Sequence, residues 1–335
     1  MGRVTLSPFA VPESERSYVE AVAALAPSFA ARADQHDADA TLPVDNLRAL
    51  HAAGIDVAAL PVEYGGAGLS FQTLGQILGV VGRACPSTAC IWLMHLGAAL
   101  TLVRYTSPEK AEFYAKEVAE GKRFANALSE PTGGNLFLFP LQTAEPVEGR
   151  YRLDGAKRFV SGCEIADHFL VNALLADGPA FFGVPAGETV EPVPIWDAMG
   201  LRGTRSQLLS FHDTVLREEN RCVRMVPGEP NIIALGLSWL SIGVAEAALD
   251  ALVQHARNRV IPTTGTPVAE LQWVTFDTAD AHTELAAARL LCERSMWIAD
   301  HGDPSAMDAA VEAKLYANQV AKRVAELGLL VTEEP

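Results

Sequence analysis

Ser129-Glu130-Pro131-Thr132-Gly133-Gly134 sets a hydroxyl, a carboxylate and a proline–glycine turn in one short stretch. Open backbone N–H groups in such a turn can hold a phosphate or the polar edge of a ring. The same residues also make an ordinary turn. Further along, Lys157-Arg158-Phe159-Val160-Ser161-Gly162 has the pattern of a strand, which puts Phe159 and Ser161 on one face. An aromatic ring beside a hydroxyl suits a flat heterocycle, since one packs and the other hydrogen-bonds. Sheet packing calls for the same residues. His95 stands in an apolar run, where a lone histidine is commonly a hydrogen-bonded core residue. Two further motifs read as architecture. Gly65-Gly66-Ala67-Gly68 follows no strand, lacks the Lys-Ser/Thr of a phosphate loop and misses the GxGxxG spacing, so it is a turn. Ser107-Pro108-Glu109-Lys110 has the spacing of an acyl-serine signature without its SDN or KTG companions. A helix start explains it: Ser caps, Pro takes the first helical position, and Glu faces the positive end.

The elements that must position these residues change character twice. Residues 1–121 read as an N-terminal helical domain, in which Val44, Leu47 and Leu50 form an apolar face and Gly54 and Gly121 close helices. Thr88 to Val103 is apolar nearly all round and predicts a buried central helix. Residues 122–228 read as a middle antiparallel, barrel-like β domain. Its strand-like runs are His168 to Leu175, Ala180 to Val184 and Gln207 to Phe211, and Asp154-Gly155 carries a hairpin signal. Residues 229–335 return to helix, with Ile232 to Arg259, Val268 to Ala299 and Ala306 to Gly328 as three long helices. The expected fold class is α+β with segregated parts.

The chain has 335 residues, long enough for a large core in about two or three domains. At 49% hydrophobic and 20% charged residues it is not disordered as a whole. The net charge of −15 argues against nucleic acid and against an anionic membrane surface as partners. Five cysteines, Cys85, Cys90, Cys163, Cys222 and Cys292, form no CxxC pair, and eight histidines form no HExxH. That predicts a reduced, cytoplasmic chain with no structural metal. No signal peptide or myristoylation pattern opens the sequence. The apolar run from Ile232 to Leu249 holds Ser238, Ser241 and Glu246, which fits a core helix better than a membrane span.

Taken together, the segments resemble the acyl-CoA dehydrogenase superfamily. The resemblance rests on Glu63-Tyr64-Gly65-Gly66, Ser129-Glu130-Pro131, Tyr151-Arg152-Leu153-Asp154-Gly155-Ala156-Lys157, Phe159-Val160-Ser161, the block Trp196 to Ser206, and Phe211-His212-Asp213. It implies an FAD cofactor, with FMN as the alternative. Ser129 and the backbone around Glu130 and Pro131 would meet the pyrimidine edge of the flavin. Phe159 would pack by the ring, and Ser161 would lie near its N5 side. Arg202, Thr204 and Ser206 belong to the loop that closes the middle domain. Arg259 corresponds to an arginine that reaches a neighbouring subunit's FAD, although Val260-Ile261-Pro262 replaces the usual aromatic–glycine partner. The family's glutamate base has no counterpart. Ile232 to Leu237 contains no acid, and the sequence reads Glu333-Glu334-Pro335 where the last helix should lead on to it, so the C-terminal bundle is expected to be shortened.

The resemblance thus implies α,β-dehydrogenation of an acyl thioester. A second possibility is a two-component monooxygenase that uses reduced flavin and O₂. The chain is similar to the dibenzothiophene monooxygenase-like branch at Met94-His95-Leu96, at Asn126 to Glu130 and at Phe159 to Gly162. His95, Asn126 and Ser161 would then be the polar set where flavin meets oxygen. A third is a non-catalytic fragment or partner subunit. Expected partners are a small-molecule or acyl-thioester substrate and a flavin reductase or electron-transfer protein. Apolar positions Leu285, Leu290, Leu291 and Trp297 suggest a homodimer or homotetramer.

Overall fold

The computed structural model describes residues 8–131, 139–223 and 228–333. Its helices are α1 (Arg16–Ala38), α2 (Val44–Ala52), α3 (Ile55–Ala58), α4 (Phe71–Ala84), α5 (Pro86–Tyr105), α6 (Pro108–Ala119), α7 (Ile232–Asn258), α8 (Gln272–Asp300) and α9 (Ala306–Glu333). Its strands are β1 (Phe124–Ala127), β2 (Ala144–Val147), β3 (Arg150–Val160), β4 (His168–Leu175), β5 (Gly178–Pro185), β6 (Val190–Val193) and β7 (Gln207–Arg217). Two compact units result. One comprises Met1–Ala31, Ser70–Ala89 and Glu229–Pro335, and the other Arg32–Leu69 and Cys90–Gly228.

The first unit is a helical bundle. Ser70 caps α4 by accepting the Thr73 N–H at 3.2 Å, and the Glu15 carboxylate accepts the Ser70 N–H at 3.1 Å. Gly75 and Gly79 lie one turn apart on α4 and receive the buried indole of Trp239 from α7. A Cβ at Gly75 would sit 2.5 Å from the indole nitrogen, and one at Gly243 would sit 2.7 Å from the Gly79 carbonyl oxygen. Only glycine permits that approach. The helix expected from Val268 begins later, because Val268–Glu270 is a 3₁₀ turn and α8 starts at Gln272. Leu285 is buried, and Trp297 is half-buried with its ring centroid 4.1 Å from that of His301, so neither contributes the exposed face expected of it.

The second unit holds the sheets. β1-β4-β5 form one and β2-β3-β7-β6 the other. Isolated bridges, Ser129 to Arg158 and Thr143 to Leu174, replace a continuous ladder between them, so among the described residues the barrel-like expectation becomes two sheets and no closed barrel. The antiparallel expectation also needs correction, because β1 pairs with β4 in parallel. All four β1 residues are buried, and a continuous apolar run carries no sign of strand direction. The hairpin lies at Glu148-Gly149, not at Asp154-Gly155. Both residues have positive φ (47° and 78°), as a tight turn between β2 and β3 requires. Asp154 and Gly155 instead run through β3, beside a register shift against β7. A core of Leu153, Val160, Phe169, Val171, Phe182, Leu209 and Phe211 fills the unit.

By length and composition α5 and α7 could each cross a membrane. In the fold they are core helices, with 78% and 56% of their most apolar windows buried.

Candidate functional site

Helix α5 organises the site in the second unit. Cys90 and Met94 are four residues apart, one turn on the same face. The Cys90 thiol lies 3.9 Å from the Ser161 hydroxyl, and the Met94 carbonyl accepts the Asn126 amide N–H at 2.5 Å. The helix thereby carries contacts to both Ser161, just beyond β3, and Asn126 on β1. The Asn126 Oδ1 is buried and has no hydrogen-bond partner among the described residues. A buried amide oxygen without a donor calls for one from a ligand or a water.

Phe159 and Ser161 do not alternate as an ideal strand would have them. Between the pairs Lys157–Leu209 and Val160–Gln207, β3 carries one residue more than β7. The bulge takes Phe159 to φ +59° and leaves it 52% exposed, whereas Ser161 is 7% exposed. The Arg158 guanidinium lies 4.6 Å from the Phe159 ring centroid, and Trp196 meets the ring edge-on at 6.2 Å. Leu201 and Arg205, which bracket the 3₁₀ turn Arg202–Thr204, also have positive φ (54° and 42°). Strained residues of this kind persist where surrounding bonds hold them. Here Gln207 Oε1 accepts the Ile195 and Trp196 N–H groups at 2.8 Å, and Arg205 Nη2 donates to Glu164 at 2.7 Å. The Asp37 carboxylate accepts the Arg202 N–H at 3.0 Å.

The turn motif has a different internal logic. The Ser129 carbonyl accepts the Arg158 N–H at 2.8 Å, which places Ser129 beside β3. The Glu130 side chain is buried, takes the Lys157 ammonium at 2.8 Å and accepts the Leu141 and Gln142 N–H groups at 3.0 Å each. Burial alone would raise its carboxyl, but the ammonium and the two N–H groups outweigh that and hold it below the usual range. Glu130 is therefore a structural anchor through its side chain, and only its backbone is left to meet a ligand. Pro131 is exposed, and Thr132, Gly133 and Gly134 lie outside the described residues.

His95, beside Met94 on α5, is buried with 1% exposure. Its Nδ1 accepts the Phe124 N–H at 3.1 Å, which makes Nε2 the protonated nitrogen. Burial chiefly pushes it down to about 4, so it is neutral. Its neighbour Asp56 accepts the Trp92 indole N–H at 2.8 Å and lies 3.1 Å from Arg123 and 3.2 Å from His51. Burial raises the Asp56 carboxyl, yet these partners hold it well below the carboxylate range. Arg259 belongs to the other unit, exposed at the C-terminus of α7, where its carbonyl accepts the Val268 N–H at 2.8 Å. The glycine turn is also accounted for. The N–H groups of Gly66 and Gly68 bond the carbonyls of Pro61 and Leu60, so neither is open to a phosphate.

The sequence alone did not single out Cys90 or the Asp56 cluster. Cys90 could have been found, since it precedes Met94 by one helical turn. Nothing local ties Asp56 to Arg123, since their contact is made only by the tertiary fold.

An exposed aromatic face, a neutral hydroxyl and an unpartnered amide oxygen fit a flat heterocycle with a hydrogen-bonding edge, and a flavin is one. The residue chemistry thus suits a flavin site on an α+β fold. The acyl-CoA dehydrogenase N-terminal domain matches residues 12–122, and the acyl-CoA dehydrogenase C-terminal domain matches residues 231–331. The chain belongs to the acyl-CoA dehydrogenase superfamily. It is 28% identical to acryloyl-CoA reductase (NADH) of Anaerotignum propionicum, over 89% of this chain and 79% of that one. It is 29% identical to cyclohex-1-ene-1-carbonyl-CoA dehydrogenase of Syntrophus aciditrophicus, over 93% and 78%. Among solved structures, butyryl-CoA dehydrogenase from Megasphaera elsdenii superposes with a TM-score of 0.86 at 22% identity, covering 97% of this chain and 89% of that one. TdsC from Paenibacillus sp. A11-2 with FMN and indole gives 0.79 at 22%, covering 91% and 84%. The family uses FAD, and the TdsC structure holds FMN.

Proposed function

We propose that this chain oxidises or reduces the α,β-carbons of a short acyl-CoA thioester with a bound flavin. The observation that carries this is that both relatives above, matched along about nine-tenths of the chain, are named for CoA thioesters. When bound, the flavin supplies a two-electron hydride acceptor or donor. Phe159 packs against the ring, and Ser161 and Asn126 fix its polar edge. Ser129 and the backbone at Glu130 and Pro131 hold the pyrimidine side. Asn126 and Ser161 are too weakly basic to take an α-proton, so they position and do not deprotonate. His95 shapes the core behind them, its Nδ1 already engaged. Arg259 is proposed to serve a neighbouring copy's flavin.

A reducing, cytoplasmic setting belongs to the same proposal, supported by five free cysteines. So does a homodimer or homotetramer, supported by exposed Leu290, Val311, Leu315 and Leu329 on α8 and α9. An electron-transfer flavoprotein or a flavin reductase would complete the cycle.

The test is anaerobic titration of the purified chain with FAD, followed by a short-chain acyl-CoA. Stoichiometric binding and bleaching of the flavin band are expected. One observation favours oxygenation instead: the only carboxylate in the turn motif, Glu130, is tied to Lys157. Flavin that stays yellow with every acyl-CoA, yet supports O₂-dependent product formation when reduced, selects that second reaction. Failure to bind FAD or FMN overturns both.

A further inference from the structure

Three hydroxyls stand in line behind the proposed flavin edge, all nearly inaccessible: Thr204 at 1% exposure, Ser206 at 5% and Ser161 at 7%. Thr204 Oγ1 and Ser206 Oγ are 2.8 Å apart, and Ser206 Oγ and Ser161 Oγ are also 2.8 Å apart. The line has an anchored end, where the Thr204 hydroxyl meets the Leu201 carbonyl at 2.8 Å. A carbonyl only accepts, so Thr204 donates there. Each hydroxyl has one proton. With Thr204 committed, Ser206 donates to Thr204 and Ser161 donates to Ser206. The Cys90 thiol, pushed up to about 11 by burial, keeps its proton and faces the Ser161 oxygen at 3.9 Å. Ser161 therefore turns its proton inward and a lone pair outward. The Gly162 N–H to Thr204 carbonyl bond, 2.9 Å, and the Val160–Gln207 pairing fix the register of the line.

We propose that Thr204, Ser206 and Ser161 form a directed hydroxyl relay that presents an acceptor to the ligand, and so favours the reduced form of a bound flavin over the oxidised form. This rests on the flavin site proposed above. A flavin carries a hydrogen-bond donor at N5 only when reduced, and when oxidised that nitrogen is an acceptor. With reduced flavin all three inward bonds persist and a fourth is added from the ring. With oxidised flavin, Ser161 can donate outward only if the whole line reverses and the Thr204–Leu201 bond is lost. The count is four bonds against three. Reversal is eased because the Leu201 carbonyl also accepts the Thr204 N–H at 3.0 Å and the Trp196 indole N–H at 3.2 Å. The bias is thus about one ordinary hydrogen bond, or roughly tenfold in the ratio of affinities for the two redox states. Thr204 and Ser206 are positioning residues that act through Ser161.

The experiment is the midpoint potential of FAD bound to the full chain, measured anaerobically against reference dyes. Thr204→Val removes the inward acceptor of Ser206 and leaves Ser161 to donate outward. Its potential is expected to fall by about 30 mV, the two-electron equivalent of tenfold. Thr204→Ser keeps the relay and is expected to restore the wild-type value. If Thr204→Val does not fold, Ser206→Ala serves instead, since it frees the Ser161 proton and is also expected to lower the potential. An unchanged or raised potential in a variant that still binds FAD overturns the relay alone. A wild-type chain that binds no flavin overturns the site as well.

Discussion

Single residues in this chain are held by pairs that could be broken one side at a time. Lys157 is fully buried, and its ammonium rests on the equally buried Glu130. Lys157→Met leaves a buried carboxylate without its cation and is expected to cost about 3–5 kcal/mol in urea unfolding. Adding Glu130→Gln should recover much of that loss, because the amide can still serve the Gln142 N–H. His95 predicts a pH effect. Its pKa is lowered in the fold, so between about 4 and 6.5 the unfolded chain binds a proton that the native chain does not. Stability from this site is therefore complete above pH 6.5 and falls as the pH drops toward 4, by on the order of 3 kcal/mol. A urea midpoint that declines over this range in the wild type, and less steeply in His95→Gln, is the expected result. The sequence marked His95 as either core or site. The structure shows it buried, with its Nδ1 on the Phe124 N–H.

Elements were legible where their signals are local. Ser107 caps α6, β4 runs from His168 to Leu175, and α7 begins at Ile232, all as the sequence predicts. Strand direction and strand offsets were not legible. The parallel β1–β4 pair and the bulge at Phe159 arise from contacts between segments far apart in the chain. Asp154-Gly155 has the composition of a turn, yet pairing with β7 before and after it, at Leu153 and Gly155, keeps β3 running through it. The bulge itself can be tested. Phe159 sits at positive φ with half its surface exposed, so little burial opposes its replacement. Phe159→Gly should leave the melting temperature unchanged or slightly raised while weakening flavin binding at least tenfold. A marked loss of stability would mean that the ring serves the sheet and not a ligand.

The whole molecule carries a net charge of −15. A CoA thioester is itself a polyanion, so long-range repulsion opposes its approach and salt screens that repulsion. If the proposed substrate class is right, raising ionic strength from about 20 to 200 mM should speed association of an acyl-CoA, as read by stopped-flow flavin absorbance. Slower association would point to a local basic path that overrides the net field. The two units also mark what composition can and cannot convey. Helix, sheet and helix were plain along the chain. That Ser70–Ala89 joins the C-terminal helices in one unit was not, because the glycines of α4 reveal their purpose only against Trp239.

That crossing has a consequence for how the sequence can drift. A methyl group at Gly75, Gly79 or Gly243 collides with an indole or a backbone carbonyl, at an expected cost of about 1–3 kcal/mol. A smaller side chain at 239 would instead leave a void. Each change alone is destabilising, but each would make room for the other, so Trp239→Leu combined with Gly75→Ala should be better tolerated than the sum of its parts. Helices α4 and α7 are in that sense inherited as a unit: a lineage can cross from one packing to the other only by way of a destabilised intermediate, or by two substitutions at once.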